Sequence, residues 1–347
     1  MVKPALKRQG IKSKWGLTAT VLLSANLLFM TFLFISRPLP EVCTARQETS
    51  NASAEVGADT STSGEGHRDF LALNKITDSD KVKATLNEDT CFQDESVCLY
   101  KQATVKKCRP WGHYYDTIYQ KRLGAYSTDS TEPFQFLEIG FYRGSGFEAF
   151  MQFMPRAEPH SIEISCMEAG PFAEGKWPFV NAAKDNTQWY KPLRDANRLH
   201  CGDANNVEFL NQVWTQQMKR PDAPPLKVVV DDASHQSHQM AQSVFFWFPK
   251  IEPRGIMIVE DIQPLSIANK FRTQFLPQLM ADLHFCGYSE FPDETCFPTL
   301  QPLLASIHCE MHICVLERND EPAVELSLEK SKMPVNALNS SLCKAAW

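Results

Sequence analysis

Two short acidic stretches in this chain could do chemistry together. Val228–Val230 runs straight into Asp231 and Asp232, Ile256–Val259 runs straight into Glu260 and Asp261, and His235 follows Asp232 by three residues. Carboxylates gathered at one place repel one another unless a cation or protons hold them. Asp232, Glu260 and Asp261 are hard oxygen ligands, which suit Mg²⁺, Mn²⁺ or Ca²⁺ better than zinc. His235, with an ordinary pKa of ~6.5, is a candidate general base for removing a proton near neutral pH. The plainer alternative is that such acids cap the next helix or meet solvent, and that a lone histidine satisfies a turn.

For these side chains to meet, both apolar runs must end on the same edge of one sheet. A short unbroken apolar run bounded by polar, Pro and Gly signals reads as a strand buried on both faces. Between the two runs, His238–Trp247 has room for a crossover helix, closed by Pro249 and the Pro253-Arg254-Gly255 turn. A βαβ unit of this kind puts both strand carboxyl ends on one edge, where ligands bind in open α/β folds.

A third run, Phe134–Ile139, leads into Gly140-Phe-Tyr-Arg-Gly144-Ser-Gly146 and a helical stretch, Phe147–Met154. Strand, glycine-rich turn and helix N-terminus form a cradle that lets a nucleotide-like ligand approach the backbone. The spacing fits neither the dinucleotide fingerprint nor the Walker loop, which disfavours a nucleotide-dependent redox enzyme. Glu138, two residues before Gly140, completes a Glu-x-Gly pattern typical of class I S-adenosylmethionine sites, where acid and backbone hold the amino-acid part. A second strand is expected at Ser161–Ser165, with Glu163 placed for a ribose hydroxyl pair and Glu168 as the alternative. Leu199–Asp203 reads as a third strand, with Asp203 at the expected adenine contact. The long aromatic connection 169–198 is placed to cover an acceptor.

Trp111–Leu123 has helical spacing, with Tyr115 and Tyr119 read by default as sheet packing. Ala268–Leu283 reads as a helix and Ser306–Leu316 as one late strand carrying two structural histidines, His308 and His312.

The 347 residues, 43% of them hydrophobic, suffice for one α/β domain with appendages, and a net charge of -6 gives no case for nucleic acid. Residues 1–14 are basic without an acid, and Trp15–Ser36 carries no charge over a length that spans a bilayer core. By the positive-inside rule this is a signal anchor with a cytosolic N-terminus, a cleaved signal peptide being the competing reading. Residues 37–90 are expected to be a largely disordered stem, 91–317 the catalytic domain and 318–347 a polar tail. Asn51-Ala52-Ser53 and Asn339-Ser340-Ser341 are glycosylation acceptors. The expected protein is thus single-pass, type II and luminal, with the Golgi as compartment. Among the eleven cysteines no zinc spacing occurs. Some of Cys91, Cys98, Cys108, Cys286, Cys296, Cys309, Cys314 and Cys343 should be bridged in an oxidising lumen, whereas Cys166 and Cys201 read as buried thiols.

In this order, His113-x-Tyr115 with Tyr119, Phe136-Leu-Glu-Ile-Gly140, Gly202-Asp203, Val230-Asp-Asp-Ala-Ser-His235 and Val259-Glu-Asp261 resemble the macrocin and mycinamicin type of sugar O-methyltransferases. The likeness spans about Trp111 to Glu317. It implies a Rossmann-like class I methyltransferase sheet with helices on both faces, S-adenosylmethionine held near Glu138, Gly140, Gly144, Gly146, Glu163 and Asp203, and a divalent cation, Mg²⁺ or Mn²⁺. Asp232, Glu260 and Asp261 match the metal ligands of that family, and His235 matches its catalytic base. Ala233, Ser145-Gly146 and Arg254 depart from the family pattern without removing a catalytic side chain. The implied reaction is methyl transfer to a hydroxyl of a glycan or other polyol. A catalytically inactive methyltransferase fold serving as a scaffold is the alternative.

Overall fold

The apolar runs form the middle of one seven-stranded sheet. The computed structural model describes residues 68–77, 79, 81, 115–167, 182–186, 188–262, 268–284, 297–310 and 312–338. Its strands are β1 (Phe134–Ile139), β2 (Ala157–Glu163), β3 (Leu199–Cys201), β4 (Leu226–Asp231), β5 (Ile256–Val259), β6 (Leu304–Glu310) and β7 (Ile313–Arg318). They lie in the order β3-β2-β1-β4-β5-β7-β6. Strands β1 to β5 are parallel, and β7 runs antiparallel to both of its neighbours. The chain reverses its winding direction between β1 and β4, the switch point at which open α/β sheets bind ligands. With β7 reversed and inserted between β5 and β6, this mixed α/β sheet matches the class I methyltransferase order.

The helices are α1 (Phe70–Thr77), α2 (Asp116–Leu123), α3 (Ser145–Phe153), α4 (Ala182–Asp185), α5 (Tyr190–Asp195), α6 (Val207–Gln212), α7 (Ser237–Trp247) and α8 (Leu276–Leu283). Strand alternation divides them into two layers. Phe134, Phe136, Val228, Val230, Ile256 and Ile258 pack with Phe70 of α1, Ile118 and Leu123 of α2, and Phe147 and Phe150 of α3. Leu137, Ile139, Val229, Met257 and Val259 pack with Leu210 of α6, Val244 and Phe245 of α7, and Leu279 of α8. Every residue of β1 and β5 is buried, which is why these runs show no polar alternation.

The same alternation sorts the acids. Even-numbered Glu138, Asp232 and Glu260 continue the face covered by α1, α2 and α3, whereas odd-numbered Asp231 continues the α7 face. There Asp231 is bonded to Ser243, and burial pushes its carboxyl up to about 6.

Several sequence expectations change. Within the stretch expected as stem, α1 docks through fully buried Phe70, whose ring centroid lies 4.8 Å from Tyr119, 5.6 Å from Phe150 and 5.3 Å from Phe153. Burial of that one ring contributes ~1.5–3 kcal/mol, and Leu71 and Leu73 pack beside it. The stretch 318–347 is not a solvated tail throughout. Buried Arg318 donates to the carbonyls of Ile251 (2.8 Å) and Leu303 (3.2 Å), Gln242 clips Ser331 and Met333, and Ala337 joins the core.

The expected strand 306–316 is a hairpin: β6 turns back on β7 at His312, whose φ is 66°, so His308 and His312 do not share a strand face. β2 begins at Ala157 rather than Ser161, since pairing with β1 starts at Phe134. Cys166 and Cys201 are not thiols but a disulfide between the ends of β2 and β3, and Cys309–Cys314 bridges the β6–β7 hairpin. The helix expected at 111–123 is described from Asp116. Among the described residues no helix is long and apolar enough to cross a membrane. Trp15–Ser36, both glycosylation acceptors, His113, Glu168, Cys91, Cys98, Cys108, Cys286, Cys296 and Cys343 lie outside the described residues.

Candidate active site

Backbone pairing continues one residue past the strands and draws three chain segments together. The Asp232 amide donates to the Ile139 carbonyl (2.8 Å), and the Glu260 amide donates to the Asp231 carbonyl (2.9 Å). Gly140 makes this approach possible: its φ is 103°, and a Cβ there would lie 2.1 Å from the Asp232 carbonyl oxygen. Three non-glycine residues around the site hold left-handed backbone, Tyr142 (47°), His235 (56°) and Asp261 (52°). Such conformations persist only where surrounding contacts fix them, and they concentrate at functional sites. At Asp261 the left-handed turn brings an odd-numbered side chain round to the α2 side.

There the acids meet donors. The Tyr115 hydroxyl donates to Asp261 Oδ1 (2.7 Å), and the Tyr119 hydroxyl donates to Glu260 Oε1. Lys81, from the segment after α1, places its ammonium 2.6 Å from Asp232 Oδ2, 2.8 Å from Glu260 Oε1 and 3.3 Å from Glu138 Oε1. Its side chain is only 2% exposed. Burial, with the neighbouring carboxylates Asp261 and Glu260, raises both tyrosine pKa values well above the usual range, so both remain neutral donors. Burial and then the Asp232 charge push Glu260 well upward, against the pull of Lys81 and Tyr119. Glu260 Oε2 is buried and has no hydrogen-bond partner.

The set able to hold a cation differs from the expected one. Asp232, His235 and Asp261 each offer a ligand atom within 4.8 Å of the others. His235 Nε2 lies 3.5 Å from Asp261 Oδ2, His235 Nδ1 lies 4.0 Å from Asp232 Oδ1, and Nδ1 has no hydrogen-bond partner. Two carboxylates and an imidazole at this spacing fit a divalent ion with open positions for water or substrate. Glu260, expected as a ligand, is instead turned to Lys81 and Tyr119, because strand alternation carries it into the layer beneath α2.

The glycine turn forms as expected. Gly144 (φ 75°) starts α3, and a Cβ there would strike the Phe141 ring and Asn186. Gly146 faces Lys81, whose Cε would lie 2.7 Å from an added Cβ. Glu163, at the end of β2, accepts from the backbone amides of Tyr142 and Ser165, each at 2.6 Å. It therefore ties the turn to β2. Asp203 follows β3 and accepts from the Asn205 amide (2.8 Å). The structure brings Glu138, Asp232, His235, Glu260 and Asp261 into one cluster, and places Glu163 and Asp203 further along the same sheet edge.

Lys81 carried no signal in the sequence. Tyr115 and Tyr119 carried one: a tyrosine pair on a buried helix face needs acceptors for two hydroxyls, and acids were the available ones.

No family model matches the sequence, and no match is found among curated proteins. Among solved structures, the chain is similar to the MycE methyltransferase from the mycinamycin biosynthetic pathway in complex with Mg, SAH and mycinamycin VI, at 16% identity and a TM-score of 0.46, over 74% of this chain and 56% of that one. It is also similar to DesVI of Streptomyces venezuelae (17% identity, TM-score 0.26, 42% of this chain and 48% of that one). A third is the O-methyltransferase NovP (10% identity, TM-score 0.31, 54% of this chain and 73% of that one). The chain thus spans little more than half of MycE, and likeness at this level bears on neither substrate nor chemistry.

Proposed function

We propose that this protein is an S-adenosylmethionine-dependent, divalent-metal-dependent O-methyltransferase acting on a hydroxyl of a glycan or other polyol in the secretory pathway. The observation that carries the reading is the meeting of Asp232, His235 and Asp261 beside the Gly140–Gly146 turn, at the switch point of the sheet. A divalent cation held by Asp232 and Asp261, with His235 left beside it as the base, would supply Lewis-acid polarisation of a substrate hydroxyl, and S-adenosylmethionine would supply the methyl group. The chain's own residues do the rest. Glu138 and the glycine turn hold and orient the donor, and Glu163 keeps the turn in place. The imidazole of His235 takes the hydroxyl proton, and its resulting charge is stabilised by the aspartates on either side. Tyr115 fixes the carboxylate of Asp261. Holding acceptor and donor in line is worth up to ~7–11 kcal/mol in favourable cases.

The Cys166–Cys201 and Cys309–Cys314 disulfides support an oxidising compartment, and so the luminal, type II, Golgi-anchored arrangement expected from Trp15–Ser36. The test is methyl transfer from labelled S-adenosylmethionine to a glycan pool by the full chain. Activity should be lost with EDTA and in His235→Ala; full activity in both would reject the mechanism. A second reading, an inactive methyltransferase fold acting as a scaffold, draws on the occupation of the acid cluster by Lys81. Calorimetry with S-adenosylmethionine separates the two, because the scaffold reading requires no binding.

A further inference from the structure

Each aspartate of the candidate metal set is shared between two neighbours. Asp261 accepts from the Tyr115 hydroxyl on Oδ1 (2.7 Å) and turns Oδ2 towards His235 Nε2 (3.5 Å). Asp232 accepts from the Lys81 ammonium on Oδ2 (2.6 Å) and turns Oδ1 towards His235 Nδ1 (4.0 Å). A cation between the two aspartates and the Lys81 ammonium would therefore take opposite oxygens of one carboxylate, the arrangement of two ions bridged by it.

Lys81 fills its half of that arrangement as a metal would. Its ammonium meets one oxygen from each of three strand ends: Glu138 Oε1 of β1 at 3.3 Å, Asp232 Oδ2 after β4 at 2.6 Å and Glu260 Oε1 after β5 at 2.8 Å. A divalent ion holds carboxylate oxygens at ~2.0–2.6 Å, so these three need only draw inwards by about an ångström or less to close round one. Three carboxylates also face a single positive charge here, and Glu260 Oε2 is buried with no hydrogen-bond partner. In charge and in donor type these surroundings suit a dication at least as well as an ammonium. The lysine is nevertheless packed in place. Its amide donates to Ser79 Oγ (3.2 Å), its stem passes Gly146, its ammonium lies 5.4 Å from the centroid of the Phe150 ring, and its side chain is only 2% exposed.

We propose that Lys81 stands permanently in the second cation position of a cluster of four carboxylates, Glu138, Asp232, Glu260 and Asp261, so that the site takes a single divalent ion. Lys81 is then a positioning residue: it holds Asp232 by one oxygen with the other turned to the ion, and it keeps Glu260 out of the metal's coordination. Two-ion centres stabilise an attacking and a leaving oxygen together. Methyl transfer from a sulfonium releases a neutral thioether, which needs no second ion, so a fixed lysine suits that chemistry and excludes the two-metal kind. A second position presupposes a first, so this rests on the metal reading proposed above.

Mn²⁺ is titrated into the full chain and into Lys81→Ala, which vacates the position, with bound ion counted by electron paramagnetic resonance. In the unsubstituted chain, labelling of Lys81 by an amine-reactive reagent is read by mass spectrometry with and without saturating Mn²⁺. The expected result is one Mn²⁺ in the unsubstituted chain, with Lys81 protected in both states. Lys81→Ala should bind two, with the spectrum of a spin-coupled pair, the second at least about tenfold more tightly than any further Mn²⁺ binds the parent, ~1.4 kcal/mol. If Lys81→Ala does not fold, the count and the labelling in the unsubstituted chain decide. A coupled pair in the unsubstituted chain, or Lys81 made reactive by Mn²⁺, overturns the proposal. So does a single Mn²⁺ in folded Lys81→Ala, which leaves the metal reading standing. Mn²⁺ bound by Lys81→Ala alone would place the ammonium in the only cation position, and Mn²⁺ bound by neither protein would leave no cation position; either overturns the metal reading and this proposal together.

Discussion

Gly140→Ala tests whether the close approach of β1 and β4 builds the site. The alanine methyl would stand 2.1 Å from the Asp232 carbonyl oxygen and 2.7 Å from its carbon, against an ordinary contact beginning at 3.4 Å. The obstacle is backbone, so no rotamer relieves it, and the two segments must part by about an ångström. That movement breaks the 2.8 Å bond from the Asp232 amide to the Ile139 carbonyl. Holding alanine at φ 103° adds strain of ~1–3 kcal/mol. Together with the lost hydrogen bond, at ~1 kcal/mol, the expected destabilisation is about 3 kcal/mol or more. For a domain of this size that lowers the melting temperature by roughly 6–12 °C. The same movement displaces Asp232 from His235 and Asp261, so Mn²⁺ affinity should fall as well. Gly124→Ala is the control: nothing lies within 4 Å of its added methyl and its φ is -54°, so it should be neutral or stabilising by ~0.5–1 kcal/mol. The assay pairs thermal unfolding with Mn²⁺ titration. A Gly140→Ala protein that melts within 2 °C of the parent, roughly the ~1 kcal/mol level, and binds Mn²⁺ equally well would refute the reasoning.

Two further outcomes are expected away from the site. Lys250 is 3% exposed, donates to the Phe246 carbonyl (2.7 Å), and is held by burial at a pKa of about 8 instead of 10.5. A base whose folded pKa is depressed carries its penalty at low pH, so stability should rise as pH increases from about 8 to 10.5. Lys250→Met should abolish that rise and, after the lost hydrogen bond, gain about 2 kcal/mol at pH 7, measured by urea unfolding across that pH range. Replacing Cys166 and Cys201 by serine opens a loop with a sequence separation of 35. It should cost ~3–4 kcal/mol, and calorimetry showing no loss in melting temperature would count against that bridge.

Much of this protein was determined by sequence pattern alone. The unbroken apolar run 256–259 is the observed β5, because a strand buried on both faces favours apolar residues throughout, and 134–139 is the observed β1, although buried Gln135 and Glu138 interrupt its apolar residues. Acids at the ends of β4 and β5 had to share an edge, because a crossover helix allows only parallel pairing. Even the sorting of Asp231 away from Asp232 follows from the period of two. What only the tertiary structure decided are the contacts made by residues without a pattern. Phe70 on a short helix, Lys81 in a polar stretch and the isolated apolar residues after Arg318 find their places because the folded sheet offers them a surface, and no local spacing encodes that surface. The division of the acids, with Asp232 and Asp261 beside His235 and Glu260 beside Lys81 and Tyr119, depends on where those distant side chains arrive. Electrostatic pairing acts through space and leaves no trace along the chain.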